Sequence, residues 1–327
     1  MAGADPLHPL ARGGHLQSSA SAKAGAVASG ATPRRSLLDV FELALPRIVL
    51  GPTLLVSLFF VYGFILWTGW LSFTESRMLP RYEFAGLVQY ISLFGNDRWW
   101  VAVRNLAVFG SLFIFVCLAF GLLMAILLDQ RIRAEGFLRS IYLYPMALSF
   151  IVTGTAWKWI LNPGLGLERV VQQLGFSSFT FDWLVNPTMS IYTVVIAGAW
   201  QSSGFVMALF LAGLRGIDES IIKAAQVDGA SMPRIYWSII VPSLRPVFFS
   251  AFIILAHIAI KSFDLVMALT GGGPGFSSDL PATFMYAFGF TRNQIGLGAA
   301  SAMMMMMTVA AVVVPLMYSE LRRQRRG

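Results

Sequence analysis

Long apolar runs separated by polar loops follow one another from about residue 48 to the end of the chain. Each run has about 20 residues or more, which is the length that a helix needs to cross the hydrocarbon core of a bilayer. Membrane-spanning strands would instead show alternating polarity over about ten residues. The pattern therefore predicts an all-α, polytopic membrane protein. Its six predicted transmembrane helices cover residues 48–71, 105–128, 141–161, 188–213, 246–270 and 296–318.

The composition agrees with a membrane protein and separates a tail from the rest of the chain. Of the 327 residues, 57% are hydrophobic and 12% are charged, whereas soluble domains carry about 25% charged residues. Residues 1–40 are rich in Ala, Gly and Ser and lack the apolar core of a signal peptide. Such a segment cannot bury enough apolar surface to offset its ordering entropy. We predict a disordered tail over 1–40 and a transmembrane domain over 41–327.

The distribution of Lys and Arg predicts the orientation of these helices. With the N-terminus inside, the inner segments carry 16 Lys and Arg residues and the outer segments carry 6. Positive residues accumulate on the cytoplasmic side of membrane proteins. The distribution thus predicts a multi-pass membrane protein with both termini in the cytoplasm. The net charge of +8 reflects this topology, so it gives no support to a nucleic-acid partner.

A polar segment at 215–245 interrupts the apolar pattern and falls on the predicted cytoplasmic side. Its sequence predicts two short helices, the first capped by Asp218 and ended by Gly229. The second is capped by Ser231 and ended by Pro242. An apolar stripe on the second helix predicts a packing surface for a partner; it consists of Met232, Ile235, Tyr236, Ile239 and Ile240.

No motif for an energy source is visible in the chain. None of the four lysines follows a glycine, so the Gly-Lys pair of a phosphate-binding loop is missing. His257 has Lys261 at i+4, where a metal site on one helix face would place a second ligand. We predict that the chain is not an enzyme and that it binds no metal or cofactor.

Polar residues within the fourth and fifth predicted helices are candidates for a solute pathway. Lys261 and Asp264 are spaced to pair on one helix face, and each costs about 2.5–3.5 kcal/mol at the centre of a transmembrane helix. Such residues normally face an aqueous path or the bundle interior, although a pair that only orients helices is an alternative. Trp200, Gln201 and Ser202 place an aromatic ring beside hydrogen-bonding groups, a combination that suits a sugar.

The polar segment resembles the signature loop of binding-protein-dependent ABC importer permeases. The resemblance rests on small residues, an Asp-Gly-Ala turn and a distal Pro at fixed spacing, namely Ala224, Ala225, Asp228, Gly229, Ala230, Ile240 and Pro242. It implies a cytoplasmic loop that docks into a cleft on an ATPase subunit. Lys223 departs from the family, which usually has Glu at this position, so an ion pair made by that Glu is in doubt.

From the second predicted helix onward, the chain is similar to the maltose-type branch, and most similar to alpha-glucoside permeases. The segments KSFDLVMALTGGGPG and SSDLPATFMYAF carry this similarity together with the loop. It implies a location in the bacterial inner membrane and three kinds of partner: a second permease subunit, two ATP-binding subunits and an extracytoplasmic sugar-binding protein. The ATP and Mg²⁺ would be bound by the ATP-binding subunits. The implied sugar-lining positions are Ser202, Phe205, Leu255, Ile258, Ala259, Ser262 and Asp264.

Three other functions stay open from the sequence. The same fold could import a polyol, glycerol phosphate or glucosylglycerol, since several implied lining positions are apolar here. A self-contained ion-coupled transporter would use Lys261 and Asp264 as its relay, but the docking loop argues against it. An intramembrane enzyme would need paired catalytic residues, for which the sequence gives no support.

Overall fold

A computed structural model describes residues 37–78, 81–130 and 133–324, and every regular element in these ranges is helical. The all-α prediction is therefore confirmed. Four helices are long: α1 (Leu37–Leu71), α3 (Asp97–Asp129), α7 (Ser190–Arg215) and α14 (Ile295–Gln324). The shorter helices are α2 (Val88–Phe94), α4 (Glu135–Leu143), α5 (Phe150–Ile160), α6 (Leu167–Gln173), α8 (Glu219–Val227), α9 (Met232–Ile235), α10 (Val241–Ser243), α11 (Arg245–Ile260), α12 (Asp264–Leu269) and α13 (Pro281–Tyr286).

The described chain divides into two units within α1. The first unit ends at Phe59 and the second begins at Phe60. In the first unit, the large apolar side chains from Leu50 onward are exposed, as expected of a helix surrounded by lipid. Of the predicted tail, residues 37–40 already belong to α1, and the rest lies outside the described residues.

Four of the six predicted spans are continuous helices, whereas the third and fifth are broken. Helices long and apolar enough to cross a membrane are Leu50–Leu71, Asp97–Asp129, Ser190–Arg215 and Ile295–Ser319. The predicted third span bends by 101° between Glu135–Ala147 and Phe150–Ile160. The predicted fifth span stops at Ile260, and a second bend of 61° separates α11 from the helical segment before it. Counting each bent pair as one span gives up to six spans.

The core of the second unit forms where α3 packs along α7. One face of α3 is buried at intervals of four residues, at Phe109, Phe113, Cys117, Gly121 and Ala125. The glycine allows the closest approach, because a Cβ at Gly121 would lie 2.6 Å from Cγ1 of Val206 on α7. The i+4 spacing that makes this stripe is the ordinary consequence of 3.6 residues per turn.

The bundle has two distinct ends. At the end that carries residues 215–245, which we call the loop end, Arg215 forms ion pairs with Glu135 (2.6 Å) and Asp129 (3.8 Å). At the other end, which we call the far end, the loop after α12 packs against the first turns of α3 and α7. There Arg98 pairs with Asp279, and the hydroxyls of Ser190 and Ser277 lie 2.8 Å apart.

Candidate functional site

The break between α11 and α12 exposes two charged residues at membrane depth. α11 has 16 residues and rises about 24 Å from the loop end, which brings Lys261 beyond the middle of a hydrocarbon core of about 30 Å. Lys261 caps α11, and Asp264 begins α12. Both side chains are exposed in the chain. Because charge in contact with lipid is costly, this break indicates an aqueous path or a polar partner surface.

The predicted pairing of Lys261 with Asp264 on one helix face is wrong. The backbone leaves the helical path at residues 261–263, where Phe263 has φ −117° and ψ −57°. The two residues therefore lack the i,i+3 geometry of a continuous helix. Among the ion pairs and hydrogen bonds of the described residues, none joins their side chains.

The second break, between α4 and α5, is held by Gln201 of α7. Leu148 is extended at this point, and its carbonyl oxygen accepts a hydrogen bond of 2.7 Å from Nε2 of Gln201. Ser149 then caps α5 by accepting from the backbone N–H of Val152. Oε1 of Gln201 is buried without a partner in the described structure. Non-helical backbone at membrane depth is tolerated where protein or a cavity covers it, and Gln201 supplies that cover.

Glycines bring the two broken helices close to each other and to α7. A Cβ at Gly154 of α5 would lie 2.7 Å from Cβ of Ala268 on α12. A Cβ at Gly204 of α7 would overlap the carbonyl oxygen of Tyr142 on α4. Small residues at such contacts are a common device of membrane helix packing. The two breaks thus lie in one region of the bundle, and α7 packs against both broken helices.

The sequence-predicted pathway residues differ in their access to this region. Trp200 is exposed and packs edge-on against Trp157, with ring centroids 5.8 Å apart. Phe205 and Ile258 are half-buried, while Ser202 and Ser262 are buried. Leu255 and Ala259 lie in the core and are closed to a solute in this conformation. Contact between these residues and a solute stays a prediction.

The far-end loop contains a buried ion pair that sequence reasoning missed. Oδ2 of Asp279 accepts a hydrogen bond of 2.6 Å from Nε of Arg98. The side chain of Asp279 is 1% exposed. Thr283 donates to Oδ1 of Asp279, and the Arg98 guanidinium lies 4.1 Å from the ring centroid of Phe276. Asn105 also donates to the carbonyl oxygen of Asp279. The loop is therefore fixed to α3 by polar contacts.

At the loop end, the predicted helix boundaries of the first short helix are confirmed. Asp218 caps α8 by accepting a 2.8 Å hydrogen bond from the backbone N–H of Ser220. This bond is the largest cause that lowers the pKa of Asp218 below its ordinary value. The hydrogen bond with the Ser220 hydroxyl and the positive charge of Lys223 lower the pKa further. The cap is therefore present above the unfolded pKa and is lost as the pH falls through the folded one. Gly229 follows α8 with φ +80°, the left-handed conformation expected at a helix end.

Two predictions for the second short helix need correction. Ser231 does occupy the capping position of α9, but its side chain makes no capping bond. Pro242 does not end the helix, because the chain continues through a wide turn at Tyr236–Ile240 into α10. In that turn the N–H of Val241 donates to the carbonyl oxygen of Tyr236, five residues back. Such π-type turns accommodate a proline without a clash in the preceding turn.

The apolar stripe of the second helix mostly packs inward. Ile235 is 1% exposed, Ile240 is also buried, and both belong to the core of the chain. The stripe is therefore the wrong surface for a partner. The exposed apolar side chains of the loop are instead Ile221, Val227, Met232 and Trp237, of which Val227 is 88% exposed and Trp237 is 76% exposed.

The predicted loop residues divide in the same way. Lys223, Ala224, Asp228 and Gly229 are exposed. Ala225 and Ala230 are half-buried against the core, and Pro242 is half-buried as well. Lys223 lies 2.8 Å from Glu219 in an exposed i,i+4 ion pair, so its charge is balanced within α8.

Comparison with known proteins identifies the family of this fold. Residues 117–326 match the model of the binding-protein-dependent transport system inner membrane component. The xylose/arabinose import permease protein of Haloferax volcanii is 37% identical over 80% of this chain and 84% of that protein. The trehalose/maltose transport system permease protein of Thermococcus litoralis is 30% identical over 81% of this chain and 90% of that protein.

A solved structure shares the architecture. A crystal structure of a bacterial ABC transporter involved in the import of the acidic polysaccharide alginate aligns with a TM-score of 0.76, covering 88% of this chain and 98% of that one, at 18% identity. The family match covers well over half of the chain, and the two broken helices and the exposed loop occur within it. The chain belongs to the family of binding-protein-dependent inner membrane components, the permeases of ABC transporters.

Proposed function

We propose that this chain is one permease subunit of an ATP-driven importer for an oligosaccharide, an alpha-glucoside of the trehalose, maltose or sucrose type. The carrying observation is that two broken helices meet α7 and place exposed charged and aromatic groups at membrane depth. Lys261, Asp264 and Trp200 provide hydrogen bonds and a ring face for a polyhydroxylated solute. Helices α4–α5 and α11–α12 rearrange around α7 as the path opens to either side of the membrane.

The exposed loop supplies the link to an energy source. In this proposal the loop end faces the cytoplasm together with both termini, and Ile221, Val227, Met232 and Trp237 dock into ATPase subunits. Those subunits bind the ATP and Mg²⁺. α7 and α11 join the loop directly to the broken helices, so a movement of the loop is transmitted to the path through rigid helices. A second permease subunit completes the path across the bilayer.

The far end faces an extracytoplasmic sugar-binding protein in this proposal. It carries a polar cavity of about 240 Å³ whose lining includes Glu75, Arg77, Gln89 and Gln294. Such a cavity offers both charges and two amide groups to a protruding loop. We expect the binding protein to deliver the solute there.

The solute is tested with the complete complex in proteoliposomes. We expect trehalose, maltose or sucrose, presented by the cognate binding protein, to stimulate ATP hydrolysis. Xylose, arabinose and glycerol 3-phosphate are the comparison solutes. A pentose is the second candidate, because the Haloferax relative is named for xylose and arabinose and is 37% identical. Stimulation by a comparison solute alone would replace the alpha-glucoside assignment.

Gly229→Val should uncouple ATP hydrolysis from the solute while the complex still assembles. Gly229 has φ +80°, and a β-branched residue is strained there, although the space around it is open. The turn between α8 and α9 should therefore change shape where the ATPase docks. Gly229→Asn is the matched control, because Asn tolerates the left-handed conformation. Undiminished solute-stimulated hydrolysis in Gly229→Val would contradict the docking role of the loop.

A further inference from the structure

A row of three aromatic rings, one half-buried and two exposed, begins at the α11–α12 break. Phe263, within the break, lies with its ring centroid 4.8 Å from that of Tyr286 on α13. Tyr286 stacks in turn on Phe290, four residues later, at 5.5 Å. Tyr286 and Phe290 are both exposed, and Phe290 is 68% exposed. We call Phe263, Tyr286 and Phe290 the aromatic row.

The charges beside the row indicate that it faces water rather than lipid. Lys261 and Asp264 flank Phe263 in sequence, and both are exposed. A charged side chain facing hydrocarbon costs about 2.5–3.5 kcal/mol at the centre of a transmembrane helix on insertion scales, and less towards the far boundary of the core, where Lys261 lies. Two such residues on a lipid-facing surface would both add to the free energy of inserting the chain into the membrane. The surface around Phe263 therefore faces water or a polar partner surface rather than lipid, and the row extends this surface to α13.

The other end of the row points towards the far end of the bundle. Phe290 precedes the turn at Arg292 and Asn293, which leads into α14. The N–H of Gly296, in the first turn of α14, donates to the carbonyl oxygen of Ser76. Ser76 is one of the residues that line the polar cavity of the far end. The row thus connects this end with the break.

We propose that the aromatic row is an entry subsite on which sugar rings stack as they move from the far end to the break. The proposal rests on the proposed function and adds three residues to it. An aromatic face complements the C–H face of a pyranose ring, while Lys261 and Asp264 offer a donor and an acceptor to its hydroxyl groups. Stacking contacts tolerate several ring positions, which suits a solute in transit.

Access to the row can be measured by cysteine labelling in the complete complex. The sole native cysteine of the chain, Cys117, is fully buried, so we expect little background labelling of this chain. Tyr286→Cys and Phe290→Cys should react with a membrane-impermeant methanethiosulfonate, and maltose-loaded binding protein should slow the reaction. Phe115→Cys is the control, because Phe115 on α3 is 69% exposed but lies far along the span from any charged residue. Row cysteines as unreactive as the control would mean that lipid or the second permease covers the row, which overturns the proposal.

Stacking itself is tested by the concentration dependence of uptake. Tyr286→Leu and Phe290→Leu should each raise the KM for uptake about fivefold, the expected loss of one aromatic contact. Tyr286→Phe keeps the ring and should keep the wild-type KM, and Phe115→Leu should do the same. An unchanged KM in both leucine variants would overturn the proposed sugar contact. The same holds if the leucine variants only reduce the amount of assembled complex, because the residues would then have a structural role. Failure of the proposed function is seen separately, since then no sugar stimulates the wild-type complex.

Discussion

Asp279→Ala should destabilise the chain by about 3 kcal/mol, the lower end of the range for a fully buried pair, because it leaves the half-buried Arg98 guanidinium without its charge partner. Removing one member of a buried ion pair is costly, as the remaining charge keeps its desolvation penalty. The hydrogen bond from Thr283 is lost as well. The far-end loop should detach from α3, and the loop packs against the first turns of both α3 and α7.

The native Cys117 serves as the reporter for this loss. A maleimide dye reacts with a buried thiol only when the core opens, so labelling at increasing temperature gives an unfolding midpoint. A gel then separates this chain from its partners, so the midpoint belongs to this chain alone. Lys223→Met is the control, since it removes an exposed ion pair of similar length, 2.8 Å, worth about 0.3–0.5 kcal/mol. The double replacement Arg98→Met with Asp279→Leu should recover part of the stability. Equal midpoints for Asp279→Ala and Lys223→Met would show that the buried pair contributes little.

The sequence predicts the helical class and the continuous spans well, because hydrophobic length alone decides them. It fails at the breaks for a physical reason. The break at 261–263 contains neither Pro nor Gly, so local propensity favours a continuous helix. Tertiary contacts decide otherwise, with Gly154 of α5 packed closely against α12. The charges of Lys261 and Asp264 within an apolar run are the available signal, and they mark the end of one helix and the start of the next instead of an ion pair on one helix face.

The loop end shows the same limit. The Asp218 cap and the Gly229 turn are local chemistry, and both predictions hold. Which apolar side chains face outward depends on where the rest of the chain lies. The local pattern therefore cannot show that the stripe containing Ile235 packs on the core and not on a partner. Arg98 and Asp279 are 181 residues apart, and no periodicity connects them.

Gly204→Ala should distort the region between the broken helices, although it adds only a methyl group. An ideal Cβ at Gly204 would overlap the carbonyl oxygen of Tyr142, a backbone atom that cannot rotate away. α4 must therefore move, at a cost of about 1–3 kcal/mol for an overpacked contact and more if the backbone resists. That movement pulls on Leu148, whose carbonyl oxygen accepts the hydrogen bond from Gln201. We expect both a lower unfolding midpoint and a strong loss of solute uptake.

The matched control is Gly136→Ala on α4, where a Cβ meets no atom within 4 Å. Alanine in an open helical position is favoured over glycine by about 0.5–1 kcal/mol, so the same substitution should have opposite signs at the two positions. Thiol unfolding of Cys117 and uptake in proteoliposomes measure the two effects. If Gly204→Ala were as stable and active as Gly136→Ala, α4 would have freedom to shift without cost. The contact of α4 with α7 would then not be what holds the break between α4 and α5 in place.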